Sequence, residues 1–144
     1  MRVLALDLGS KRVGVAVSDM TGSVASPLTV IHRSKSRQHD RERIAALVRT
    51  EEAEMVIVGL PLSLSGAVGP AAKAALIEAR ALATLIDVPI ETFDERLSTV
   101  TAERTLAALD VRGSSRRQVV DKVAAAVFLQ AFLDSPPNVA PEHS

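Results

Sequence analysis

The chain has no cysteine, no tryptophan and no tyrosine, and its aromatic rings reduce to Phe93, Phe128 and Phe132 beside three histidines. Without cysteine, disulfide scaffolds and thiolate metal sites are excluded, so any metal must be held by oxygen or imidazole, which suits hard cations such as Mg²⁺ or Mn²⁺. With so few aromatics, base stacking on an aromatic platform is not the expected way of holding nucleic acid. Net charge is missing too. The 17 basic residues balance 17 acidic ones, which argues against a protein that coats nucleic acid indiscriminately. No stretch approaches the roughly 20 apolar residues of a membrane span. Asp7 interrupts the short apolar run at the start and no cleavage site follows, so the expected location is the cytoplasm, with no membrane partner. No internal repeat is visible.

What is present is a chain of 144 residues, 47% hydrophobic, long enough to bury one core. The apolar run up to Leu8 and the β-branched run from Val13 flank turn residues Gly9 and Ser10, and read as a hairpin. A third strand is expected over 24–32, with Pro27 marking a bulge or an edge. A helix over 40–50 follows, and then Met55–Leu60, a continuous apolar run typical of a buried parallel strand. Pro70 suits the first turn of an alanine-rich helix over 70–86. A strand over 89–93 leads to helices over 98–109 and 116–133, the latter capped by Ser115 with Gln118. The later strands need crossovers, so the pattern predicts an α/β fold with a mixed five-stranded sheet flanked by helices. The expected single domain covers 1–134 and a frayed tail covers 135–144.

Three acids stand out against this layout. Asp7 ends an apolar strand, where a carboxylate must be met by a cation or a donor. Glu95 lies just past another strand, and Asp121 lies inside a helix, on the row Asp121, Ala125, Phe128, Phe132. In sheets of this kind ligands gather at strand carboxyl ends, which places Asp7, the loop after Gly59 and Glu95 on one edge. A boundary aspartate paired with Arg117 or Lys122 is the alternative for Asp121. Asp94 is the weaker acid, because in an extended strand it faces away from Glu95.

The cations form two clusters, 32–43 and 112–117, that either converge into one basic face or remain solvated loops and helix ends. Gly9-x-x-x-x-Gly14 is no P-loop, since Val15-Ala16 stands where Lys-Ser/Thr is required. His32, His39 and His143 are too isolated to form a ligand set.

Four motifs in order, Asp7-Leu8-Gly9 through Ser18-Asp19, Val58-Gly59-Leu60-Pro61-Leu62, Asp94-Glu95-Arg96-Leu97-Ser98-Thr99 and Asp121-Lys122-Val123-Ala124-Ala125, make the chain resemble the YqgF/RuvX family from about Val3 to Leu133. The resemblance implies a ribonuclease H-like fold and a metal-dependent nuclease, a hydrolase of phosphodiester bonds. It implies a role in maturing the 5′ end of pre-16S ribosomal RNA, with Holliday-junction resolution as the older proposal for the family. On this reading Asp7 bridges two Mg²⁺ or Mn²⁺ ions and Glu95 and Asp121 complete their shells, the arrangement that activates water and stabilises the leaving oxygen in phosphodiester hydrolysis. Lys11, Arg12 and Arg96, with Arg116 and Arg117, would meet substrate phosphate; exposed turn cations are the alternative. Ser63 and Ser65 depart from the Asn and Asp that many family members carry in the loop after the second motif, so any role of those two residues is not transferred.

The hairpin also resembles the start of actin-like ATPases, but these close two domains around a nucleotide and one short domain lacks the second half. A non-catalytic RNA-binding ribosome-assembly factor is the stronger alternative. The expected partners are pre-16S rRNA or branched DNA, presented by the assembling small ribosomal subunit to a monomer or weak homodimer.

Overall fold

The computed structural model describes residues 1–63, 65–95 and 113–135, with the backbone alone for 113–122. Its elements in chain order are β1 (Val3–Leu8), β2 (Arg12–Ser18), β3 (Ala25–His32), α1 (Arg37–Thr50), β4 (Met55–Leu60), α2 (Pro70–Ala83), β5 (Ile90–Asp94) and α3 (Gly113–Leu133). The sheet order is β3-β2-β1-β4-β5. β1, β2 and β3 pair antiparallel as the expected meander, while β4 and β5 join parallel after helical crossovers. The expected helix over 98–109 lies outside the described residues, as does the expected tail from residue 136 on. No described helix is long and apolar enough to cross a membrane.

β1 reads as an unbroken apolar run because it is central and covered on both faces. Leu4 and Leu6 join Val13, Val15, Val56 and Val58 beneath α1 and α2, which contribute Ile44, Val48, Ala79 and Leu82. Val3 and Ala5 join Ala16 and Ile57 on the other face, beneath Ala125, Phe128 and Leu129 of α3. Asp7 follows Val3 and Ala5 at the strand period of two, so it shares the α3 face. The small side chains on that face let the helix lie close.

Pro27 marks both features expected of it: β3 is an edge strand, and the register slips beside it, Ala16 pairing with Pro27 while Val15 pairs with Thr29. Two helix starts differ from expectation. α1 begins at Arg37 because the Ser36 side chain accepts from the His39 N–H at 3.1 Å. α3 begins at Gly113, so Ser115 lies inside the helix rather than at its cap, and Asp121 falls a turn deeper than expected. α2 ends early, with Thr84 at its C-cap.

Candidate metal centre at the carboxyl edge of the sheet

The ladder between β1 and β4 runs to Leu6 opposite Val58. The next residues on the two strands are Asp7 and Gly59, and Gly59 in turn pairs with Phe93 of β5. Glu95 follows the end of β5 and folds its side chain back over Gly59, where a Cβ would lie 2.9 Å from both Glu95 Cγ and Phe128 Cε2 and would run into the Glu95 carboxylate. Glycine at this one strand position leaves the space in which a carboxylate from β5 and a ring from α3 meet above β4. The signal was present in the sequence as a lone glycine within an apolar strand, and the sequence reading gave it no role.

The Glu95 carboxyl is hydrogen-bonded to Asp7. Burial, then the charge of Asp7 and that hydrogen bond, then the charge of Asp94, push it from 4.5 up to about 8. A carboxyl group on β1 and one just past β5, with β4 between those strands, thus converge, and their proximity favours the protonated form of Glu95. Asp94 pairs with Leu60 within the ladder and acts on Glu95 through its charge.

α3 runs antiparallel to β1. Its Gln130 side chain accepts from the Ala25 N–H at 2.8 Å and donates to the Ser23 carbonyl at 2.9 Å. Ala25 pairs with Ser18, whose hydroxyl accepts from the Val3 N–H at 2.8 Å, so Gln130 sits at the level where β1 begins. The helix rises about 13 Å from Gln130 back to Asp121, and β1 advances about 13 Å from Val3 to Asp7. Along the helix axis Asp121 thus lies about as far from Gln130 as Asp7 lies from the start of β1; the Asp121 side chain lies outside the described residues. Among the described residues no group of three His, Asp or Glu side chains is gathered closely enough to hold an ion.

Of the expected phosphate contacts, Lys11 is exposed in the three-residue turn between β1 and β2 and has no ion pair among the described residues. Arg12 is half-buried and pairs with His32 across β2 and β3. Arg96 lies outside the described residues, as do the side chains of Arg116 and Arg117. The turn itself is closed by Gly9 N–H donating to the Arg12 carbonyl at 2.9 Å, and a Cβ at Gly9 would stand 2.7 Å from that oxygen.

Ser63 and Ser65 have local work. Their hydroxyls lie 2.9 Å apart, and Ser63 Oγ also accepts from the Ala67 N–H at 3.1 Å. The Ser63 carbonyl accepts from Gly66, whose φ of 88° completes the turn. All three phenylalanines pack together, Phe93 stacked on Phe128 at 6.5 Å and edge-on to Phe132 at 5.9 Å.

The chain matches the family model described as RuvX, Holliday junction resolvase, over residues 1–135. A relative from Roseiflexus sp. (strain RS-1) is 46% identical over 93% of this chain and 94% of its own length. Another from Listeria innocua serovar 6a is 43% identical over 94% of this chain and 99% of its own. Both carry the name "Putative pre-16S rRNA nuclease". Among solved structures, RuvC of T. thermophilus in complex with a Holliday junction substrate superposes with a TM-score of 0.53 at 19% identity, covering 94% of this chain and 97% of that one.

Proposed function

This chain belongs to the RuvX family, and from that premise we propose that it is a divalent-metal-dependent nuclease that hydrolyses phosphodiester bonds at the 5′ end of pre-16S ribosomal RNA. The observation that carries the reading is the convergence of Asp7 and Glu95 over Gly59 at the carboxyl edge of the sheet. Two facing carboxyls that raise each other's cost of ionisation form a hard-oxygen donor pair that a dication relieves, so the residues present fit Mg²⁺ or Mn²⁺. Asp7, Glu95 and Asp121 would hold two such ions. When bound, they supply an activated water and charge neutralisation at the leaving oxygen.

The chain's own residues do the positioning. Asp7 sits on the central strand β1, and the bare backbone of Gly59 on β4 gives room to the Glu95 side chain and the Phe128 ring, so the donor pair is anchored at the packed sheet edge. Lys11 and Arg12 lie one turn beyond Asp7, where a phosphate engaged at the carboxylates would pass. Arg96 is assigned to the same substrate by its place in the third motif, and Arg116 and Arg117 by their place in the basic cluster 112–117. We place the activity in the cytoplasm, within residues 1–134, acting on precursor RNA that the assembling small subunit presents to a monomer or weak dimer.

Junction resolution is the second reading, supported by the description of the family model and by the RuvC likeness in fold. The two readings separate in one assay with Mg²⁺ or Mn²⁺ that offers a pre-16S 5′ fragment and a four-way DNA junction. Cutting of the RNA in preference to the junction, by a protein that elutes as a monomer, is the expected result. Paired symmetric nicks in the junction by a stable dimer would favour resolution instead.

A further inference from the structure

The basic stretch from His32 to Arg43 divides in the folded chain into cations that face inward and cations that do not. Arg33 faces inward, with a side chain only 6% exposed. Its Nε donates to the Gly9 carbonyl at 2.8 Å, its backbone N–H donates to the Lys11 carbonyl at 2.9 Å, and its guanidinium lies 3.6 Å from Glu78 of α2. Arg41 meets the same Glu78 at 3.4 Å. Asp40 is fully buried, accepts from the Ser34 N–H at 3.0 Å and hydroxyl at 2.7 Å, and stands 3.9 Å from Arg43. The acids Asp40 and Glu78 are thus engaged in the interior, while the exposed acid Glu42 accepts from Gln38 at 3.2 Å.

Lys35 and Arg37 remain outside, exposed and without an ion pair among the described residues. Arg43, also exposed, donates to the His32 carbonyl at 2.9 Å, which fixes it beside the end of β3. Lys11 adjoins them, since its carbonyl is the one that Arg33 binds. The far edge of the sheet carries the opposite sign, with Asp19, Glu52, Glu54 and Asp87 exposed at strand ends there and Glu51 paired to Arg2 at 2.7 Å. Among the described residues the exposed cations of this stretch and the exposed acids of the far strand ends thus lie apart along the strand direction, with Arg49 an exposed cation beside those acids and Asp7, Asp94 and Glu95 the carboxyl groups at the near edge.

We propose that Lys11, Lys35, Arg37 and Arg43 form one surface that binds the phosphodiester backbone of the nucleic acid beside the scissile bond. The surface begins at the turn after Asp7 and crosses β2 to the end of β3, two strand spacings or about 10 Å. On a duplex, at about 3.4 Å of axial rise per nucleotide, this spans about three nucleotides of one strand. The occupant is a polyphosphate strand because the contacts on offer are two ammonium and two guanidinium groups at the surface, with no aromatic ring of the described chain beside them. Arg33 is not part of the binding face. It is a post that ties the β1–β2 turn to α2, and the sequence alone counted it with its exposed neighbours. The inference rests on the nuclease reading for the position of the scissile bond, but not for binding.

The test measures binding in an Asp7→Asn background, which removes cleavage, using a labelled pre-16S 5′ fragment and a labelled four-way DNA junction from 50 to 200 mM salt. Replacing Lys11, Lys35 and Arg37 together by alanine should lower the slope of log affinity against log salt by about 2, at roughly 0.7 to 0.9 per lost contact. The melting temperature should stay within about 2 °C of the parent. Arg33→Gln should do the reverse, lowering the melting temperature by several degrees and leaving the slope within about half a unit. Arg49→Ala with Arg80→Ala, exposed cations away from this surface, should change neither. An unchanged slope in the triple variant, or an equal loss in the Arg49/Arg80 control, overturns the surface. A wild-type protein that cleaves neither substrate while the triple variant loses its slope would overturn the nuclease reading and leave the surface standing. Greater loss on the RNA or on the junction identifies which backbone the surface serves.

Discussion

Asp7 and Glu95 make the metal-free protein less stable than it would be with one of them neutral, and the sign of their pH dependence follows from that. The Glu95 carboxyl titrates near 4.5 when unfolded and at about 8 when folded, so between these values the native state holds the extra proton. In the presence of a chelator the Glu95 contribution to stability should therefore fall as pH rises from about 4.5 to about 8 and level off on either side. Urea midpoints measured across that range test it, and Glu95→Gln should remove the slope. A dication must displace the Glu95 proton, so Mn²⁺ affinity should increase with pH through the same window. Asp7 was legible in the sequence because a carboxylate closing an apolar strand has few bland explanations. Glu95 was legible by its place past a strand, while the side chain of Asp121, singled out by its helical row, lies outside the described residues. That Glu95 reaches Asp7 across Gly59 was not, since the contact joins residues 88 positions apart and depends on an absent side chain.

At the scale of elements, the meeting of β4, β5 and α3 at Gly59 is the most constrained point. Gly59→Ala places a methyl group against the Glu95 carboxylate and the Phe128 ring. It should cost about 1–3 kcal/mol in denaturant unfolding. Its loss of cleavage should exceed what partial unfolding explains, because Glu95 must swing away from Asp7. The joint between α1 and β3 is the second such point. Asp40→Ala leaves the Ser34 N–H and hydroxyl without their buried acceptor and removes the carboxylate 3.9 Å from Arg43; it should cost about 3 kcal/mol, read from the same denaturant unfolding. The sequence placed most elements through periodicity, proline and glycine. It misplaced the starts of α1 and α3, because Ser36 caps without the glutamate or glutamine that makes a capping box visible, and because Ser115 and Gln118 imitate one inside a helix.

For the whole molecule, the alternation of strands and helices was enough to give a mixed sheet with helices on both faces, because crossover rules leave few other topologies. The distribution of charge was not readable in the same way. Cations adjacent in sequence between His32 and Arg43 part company in the fold, and acids from three connections gather at the far edge. This separation should steer nucleic acid toward the cations beside the carboxyl edge, so the association rate should fall with rising ionic strength more steeply than a net charge of zero alone would give. Stopped-flow mixing with labelled RNA at several salt concentrations measures it.

The central claim is that Asp7 and Glu95, brought together over Gly59, are ligands of a catalytic dication. Single-turnover cleavage of a pre-16S 5′ fragment in Mg²⁺, by wild type, Asp7→Asn and Glu95→Gln, tests it most directly. Each variant should remain folded by circular dichroism and cleave at least about 100-fold more slowly, since it lacks a metal ligand and keeps its packing. Folded Asp7→Asn that cleaves at the wild-type rate would contradict the account.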